Sequence, residues 1–433
     1  LFGWGPEHFT ILFNTYYKPE LYIVEPWFDR AHNFIFDYGS TMGLAGLVAY
    51  LGMFFAAAWM IMQKWKEKTI SFWNMTLVVS LLGGHLLQNL FTFDTISSLL
   101  VLLVVFGYSN ARVDDTSEPQ AAGTIQLTGR VVAAGVAGAL LVFVGGYAMI
   151  MRPFFANASA HKGWELLRTG RGDETAIAQF EKSISYNTAY SVDARRFMAE
   201  YVFEFLKQGG QRPDVSLRRL MDYTIEKMTE NIAAEPENVK WVMYRGELYS
   251  LLAQKFDVSF AKKAEEDFLR ARDMSPGRPQ IYLELAQLRK LRGDVDGARV
   301  YLDYVIQTVP DFVFGHLNMV VFAIETGDRV REEREIMWLR EREGLNSEYI
   351  RDAYFVQKRY MDAAGIQEVI IGLVNREQKS ASPTYRALLY AHLAALYQYA
   401  GDVEKAREAA LVVLQLDPTK RGEVEAFLQS LAP

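Results

Sequence analysis

The chain has 433 residues, a formal net charge of −6 and no cysteine. That excludes disulfides, thiol nucleophiles and cysteine-based zinc sites, and it gives no reason to expect a nucleic-acid partner. The hydrophobic share of 50% is an average over unlike halves: residues 1–152 are apolar and glycine-rich, whereas residues 153–433 are charged and helix-forming.

The chain opens on Leu1-Phe2-Gly3-Trp4-Gly5-Pro6, with neither an initiator methionine nor a charged-then-apolar signal segment. It is therefore expected to be the C-terminal part of a longer membrane protein. Residues 1–38 read as a loop that carries Asp29-Arg30-Ala31-His32-Asn33 at the mouth of an apolar stretch. One acid, one base, one imidazole and one amide beside lipid are costly to keep there and invite a chemical explanation.

Four apolar segments follow as expected transmembrane spans, at about 39–63, 72–91, 95–111 and 131–151. The first carries Gly39, Gly43 and Gly46, a small-residue stripe that would let another helix approach closely. In the second, Gln88 and Asn89 lie three and four residues after His85, hence on one helix face. Such a face should turn toward protein or a wet cavity, either as a site or as an interhelical hydrogen-bond network. Thr92-Phe93-Asp94 joins the second and third spans as a tight hairpin.

Orientation follows from the basic residues near the span ends. Lys64, Lys66, Lys68, Arg112 and Arg130 lie on one side, and Lys18, Arg30, Arg152 and Lys162 on the other. The compact lysine cluster places the first side in the cytoplasm. Residues 1–38 and 153–433 are then extracytoplasmic, in a multi-pass protein of the cytoplasmic membrane.

The second half repeats at 34 residues. Pro276 and Pro310, Gly293 and Gly327, and Ala264 and Ala298 are each 34 apart. One unit reads Tyr282, Leu285, Ala286, Gly293, Ala298, Pro310; its offsets recur in Tyr390, Leu393, Ala394, Gly401, Ala406 and Pro418. Small residues suit close helix crossings, glycine the turn, and proline the end of the second helix. This resembles the tetratricopeptide repeat. A degenerate unit lies near 158–187, with Gly172-Asp173 at its turn, and residues 190–240 read as helical but off-register. The predicted fold is all-α: a polytopic transmembrane helix bundle followed by a tetratricopeptide-like α-solenoid over 153–433. The groove of such a solenoid most often takes a peptide or a neighbouring protein.

His161, His316 and His392 fall in repeat helices and read as structural; neither a His-Glu-x-x-His zinc motif nor a glycine-rich phosphate loop occurs. Chemistry is therefore sought among His8, His32 and His85. His32 can take a proton from a hydroxyl near neutrality, and Arg30 offers a cationic fork for a phosphate or diphosphate, with Asp29, Glu7 and Asp37 available to orient them. On residue types alone, interfacial anchoring competes with catalysis.

Taken in order, Gly3-Trp4-Gly5-Pro6-Glu7-His8-Phe9, Asp29-Arg30-Ala31-His32-Asn33 and Gly43-Leu44-Ala45-Gly46-Leu47 resemble the O-antigen ligase and polymerase family of bacterial membrane glycosyltransferases. Gln88-Asn89-Leu90-Phe91-Thr92-Phe93-Asp94 resembles a stretch that follows in many relatives. The resemblance covers residues 1–110, with the repeat tail as supporting context. It implies metal-independent and cofactor-free transfer of a glycan from a polyprenyl-diphosphate carrier to a lipid, glycan or protein acceptor. It further implies that His32 activates the acceptor or contacts phosphate, that Arg30 contacts the diphosphate, and that Asn33 holds the loop or the donor. Asp29, Glu7, His85, Gln88 and Asn89 join Asn33 as expected substrate-binding residues. One departure is Thr41, where the family commonly has a glutamate before Gly-Leu-x-Gly-Leu; Asp37 is the acid that could cover for it. Other family arginines would lie upstream of Leu1, so this stretch alone is expected to be inactive. The rival readings are a non-enzymatic, membrane-anchored repeat scaffold for envelope assembly and a transporter.

Overall fold

The computed structural model describes the chain except residues 7, 112–128, 170–172, 189–190, 208–213, 378–380 and 432–433. Glu7, Arg112 and Gly172 thus fall outside the described residues, as does the side chain of Arg130. Every regular element among the described residues is helical. The chain divides into two compact units, Leu1–Arg278 and Pro279–Pro433.

In the first unit, a short α1 (Phe9–Thr15) and a 3-10 turn (Pro19–Ile23) lead to α2 (Phe34–Thr41) and α3 (Gly43–Lys66). Then come α4 (Phe72–Asn89) and α5 (Ile96–Asn110). Phe34, Tyr50, Phe54, Ile61, Val78, Leu82 and Leu102 form their shared core. At the far end of α3, Lys64 donates to the carbonyl of Tyr108, 3.2 Å away, and to that of Ala111.

Only two helices among the described residues are long and apolar enough to cross a bilayer: α3, and a continuous helix over Val132–Arg168. The polytopic four-span bundle expected from the sequence is therefore not supported. Its second and third segments do form helices, but of 18 and 15 residues, about 27 and 22 Å long against a hydrocarbon core of roughly 30 Å. The second also carries Asn74, His85, Gln88 and Asn89, which lower its hydropathy further. The expected fourth span corresponds to α6 (Gly129–Gly146). It runs through a π-helical turn (Tyr147–Met151) into α7 (Arg152–Arg168) without a break, so the boundary expected at residue 152 falls inside one helix.

The same unit continues with α8 (Asp173–Ser185), α9 (Ser191–Lys207), α10 (Asp214–Ala234), α11 (Val239–Lys255) and α12 (Phe260–Met274). α7 packs on α8, and α11 on α12. Glycine makes each crossing close. A Cβ on Gly163 would lie 2.9 Å from the Phe180 ring, and one on Gly246 would lie 3.1 Å from the Phe268 ring.

The second unit is built of hairpins: α13 (Pro279–Leu291) with α14 (Val295–Thr308), α15 (Val313–Thr326) with α16 (Arg329–Glu341), α17 (Glu348–Val356) with α18 (Tyr360–Glu377), and α19 (Pro383–Ala400) with α20 (Val403–Leu416). α21 (Arg421–Ser430) closes the end. Three hairpin turns share one device. Gly293, Gly327 and Gly401 adopt φ of +76 to +80°, which glycine enters without steric cost. The aspartate that follows caps the next helix: Asp294 accepts from the Gly297 amide, Asp328 from Arg331 and Asp402 from Lys405. The repeat read from the sequence is thus a physical helix-turn-helix unit. Ile324, Leu339, Ile350, Ile370, Leu393 and Val413 form part of a core that runs along the stack.

Candidate functional site

The Asp29–Asn33 stretch is fixed by its last residue. Asn33 Oδ1 accepts from the amides of Ile35 (2.9 Å) and Phe36 (3.3 Å), capping α2, while its Nδ2 donates to the Leu90 carbonyl at 2.9 Å. One side chain therefore starts α2 and ties it to the end of α4. Arg30 donates to buried Asp37 through Nη2 (2.5 Å) and Nε (3.4 Å), and its guanidinium lies 4.9 Å from the Phe93 ring centre. His32 sets its ring edge-on to the same phenyl at 5.4 Å and to Phe28 at 6.2 Å. It is exposed and makes no hydrogen bond among the described residues. The fold thus brings Arg30 and His32 to one aromatic platform, with the Asp37 carboxylate behind Arg30. Asp29 is exposed and lines a small cavity of about 80 Å³ with Arg30, Asp37, Tyr38 and Thr41. Thr41 turns its hydroxyl back to the Asp37 carbonyl at 2.6 Å, and of the two acids in this corner only Asp37 is buried.

The glycine-rich motifs meet here as well. Trp4 and Gly5 donate their amides to the carbonyls of Ser40 and Thr41, both at 2.8 Å. Gly43, at φ +70°, leaves room for the carbonyl of Leu1, which a Cβ would meet at 2.1 Å. A Cβ on Gly39 would meet nothing within 4 Å, and one on Gly46 would meet only the Met42 side chain at close range. The expected stripe for a second helix is therefore used, at Gly43, to seat the N-terminal segment of this same chain. His8, in that segment, is exposed and its Nδ1 lies 2.8 Å from the Pro6 carbonyl.

A second polar cluster lies where α3, α4 and α5 meet, centred on Asp94. His85 Nε2 and Asn89 Nδ2 each lie 2.9 Å from Asp94 Oδ1. The hydroxyls of Tyr50 (2.9 Å) and Tyr38 (3.2 Å) donate to Oδ2. Burial, followed by the charge of Asp94, pushes the Tyr38 hydroxyl above its ordinary range, so it stays a donor. Of the three residues expected on one face of α4, His85 and Asn89 enter this cluster. Gln88 instead lines a cavity of about 450 Å³ together with His85, Ser80 and Ser98. Sequence reasoning named no role for Asp94. Its signal was a lone acid in a three-residue hairpin between apolar helices, and it connects to the first cluster through Tyr38 of α2.

These two clusters offer an exposed imidazole, an arginine shared with an aspartate, and a buried carboxylate saturated with donors. No group of three histidine, aspartate or glutamate side chains is placed to hold a metal ion among the described residues.

No family model matches the chain, and no curated protein matches it. The resemblance of residues 1–110 to the O-antigen ligase and polymerase family gains no support from these comparisons. Among solved structures, a tetratricopeptide repeat protein from Parabacteroides merdae is 15% identical, with 64% of this chain and 98% of that one covered at a TM-score of 0.38. BtubC (BKLC) from P. vanneervenii is also 15% identical, with 47% and 90% covered at a TM-score of 0.32.

Proposed function

We propose that this chain is a membrane-anchored helical-repeat protein whose repeat hairpins dock a protein partner in cell-envelope assembly. One observation carries this reading: the hairpins of the second unit leave an open, mainly apolar groove of about 610 Å³ between α19, α20 and α21, with Tyr385, Leu388, Ala391 and Phe427 on its walls and Asp417 and Lys420 at its edge. Such a groove is what an amphipathic segment needs for apolar anchors and a polar rim. The test places a photo-cross-linking residue at Leu388 in the full chain in its native membrane. A single defined protein adduct, abolished by Ala391→Glu in the same chain, is expected. Labelling that the second substitution leaves unchanged would remove the groove from the function.

A second reading is favoured by the convergence of Arg30 and His32 on Phe93. On this reading the protein is a glycosyltransferase of the O-antigen ligase type. His32 takes the proton of an acceptor hydroxyl as that oxygen bonds to the anomeric carbon and the bond to the carrier diphosphate breaks. Arg30, braced by Asp37, faces the negative charge that collects on the departing diphosphate. The two readings are compatible, since the repeat groove would bring the acceptor or its carrier. His32→Ala in the complete protein should abolish glycan transfer without lowering its abundance in the membrane. Retained transfer would exclude His32 from the mechanism.

A further inference from the structure

Arg278, in the turn after α12, is fully buried and is held by the N-terminal loop. Its guanidinium lies 3.7 Å from the Trp27 ring centre and 4.3 Å from that of Tyr17. Nη1 donates to the Pro26 carbonyl at 2.8 Å and Nη2 to Asn14 Oδ1 at 2.6 Å. Asn14 is itself oriented by donating to the Thr10 carbonyl at 2.7 Å. Arg278 forms no ion pair among the described residues, and burial lowers its pKa to about 10.

A guanidinium without a carboxylate is costly to bury. Here two aromatic faces and two neutral acceptors replace the missing anion. The backbone is adapted to the same contact. A Cβ on Gly277 would lie 2.2 Å from the Tyr17 carbonyl oxygen. From α11, Lys240 adds its ammonium 5.6 Å from the Trp27 ring centre.

Trp27 is followed directly by Phe28, whose ring packs on Phe13 at 4.9 Å and meets the edge of His32 at 6.2 Å. We propose that Arg278 is a latch through which the first repeat hairpins hold the loop carrying Asp29–Asn33, so that release of the Gly277-Arg278 turn frees Trp27, Phe28 and His32 together. Arg278 is then a positioning residue: it touches the loop and never the reacting groups. The latch rests on these contacts and not on the second reading above.

The test is hydrogen exchange on the full chain in detergent or nanodiscs, comparing the parent with Arg278→Lys and Gly277→Ala. Lysine keeps the charge but loses the planar fork, and alanine leaves Arg278 intact while pushing the turn off Tyr17. In both variants, residues 9–33 should exchange at least about tenfold faster, with protection of α19 and α20 unchanged. Unchanged protection of residues 9–33 in both variants would overturn the latch. So would an equal loss of protection along the whole chain, which marks a merely structural role. If the loop loosens but glycan transfer is never detected in any form of the protein, the latch stands and the transfer reading fails.

Discussion

His85 and Asp94 are paired inside the helical part of the first unit, with imidazole Nε2 2.9 Å from a carboxylate that is almost fully buried. Three further donors, from Asn89, Tyr50 and Tyr38, converge on the same carboxylate. Each is satisfied by it, so its removal strands several polar groups at once. Asp94→Ala should therefore destabilise the protein by about 3 kcal/mol or more. Asp94→Asn, which keeps the shape and one acceptor oxygen, should lie between that and the parent. Thermal unfolding followed by circular dichroism checks the order; an alanine variant that melts with the parent would show the cluster to be energetically idle.

Asn33 does two jobs that two substitutions separate. Asn33→Ala loses both the cap of α2 and the bond to the Leu90 carbonyl, and should cost about 1–2 kcal/mol. Asn33→Asp keeps an acceptor for the amides of Ile35 and Phe36 but offers no donor to Leu90, so it should recover only part of the loss. If both variants melt alike, the tie between α2 and α4 contributes and the cap does not.

The repeat was legible because its device is local. Gly293, Gly327 and Gly401 each precede a capping aspartate, and that dipeptide survives at fixed spacing. Gly163 and Gly246 sit at close helix crossings, yet they escaped because neither keeps the 34-residue step to Ala286: Gly246 precedes it by 40 residues, although Ala264 and Pro276 nearby do keep the step. Around His32, the sequence pointed to Arg30 and Asn33 because both lie in the same short motif. The partners of Arg278 are 252 and 264 residues away, a separation that no local pattern encodes. The lengths of α4 and α5 misled for another reason. The hairpin was expected at Thr92-Phe93-Asp94, between the two segments, but the helices stop short of it, at Asn89 on one side and after the Thr95 cap on the other, which leaves each below the length of a span.

Glycines in the repeat helices should respond to alanine with opposite signs. At Gly246 a Cβ would stand 3.1–3.3 Å from three atoms of the Phe268 ring, and that crowding should outweigh a helix-propensity gain of about 1 kcal/mol. At Gly365, in α18, a Cβ meets nothing within 4 Å, so alanine should stabilise by about 0.5–1 kcal/mol. Denaturant midpoints of the two variants, measured on the full chain, should move apart around the parent. A gain at both positions would mean that Phe268 yields without cost.

Acid should loosen the second unit through Glu335. His316 is buried with its ring stacked on Trp338 at 3.5 Å, its Nε2 facing the Pro310 carbonyl at 2.9 Å and its Nδ1 facing Glu335 at 2.6 Å. Arg334 donates to the other oxygen of the same carboxylate at 2.7 Å. Burial alone would raise the carboxyl of Glu335, but the hydrogen bonds from His316 and Arg334 outweigh it and hold the group below its ordinary value of 4.5. Glu332, bound by Arg359 and Tyr354, is lowered by the same balance. A carboxyl lowered on folding binds fewer protons in the native state than in the unfolded one. Its stabilisation is therefore complete above the ordinary glutamate value and disappears as the pH falls through the lowered one. The melting temperature of the full chain should accordingly be flat from pH 7 to about 5 and then decline. Glu335→Gln should melt lower at pH 7 and decline less steeply below pH 5, because one of the responsible carboxyls is gone. A decline of unchanged steepness in that variant would assign the acid sensitivity to other carboxylates of the chain.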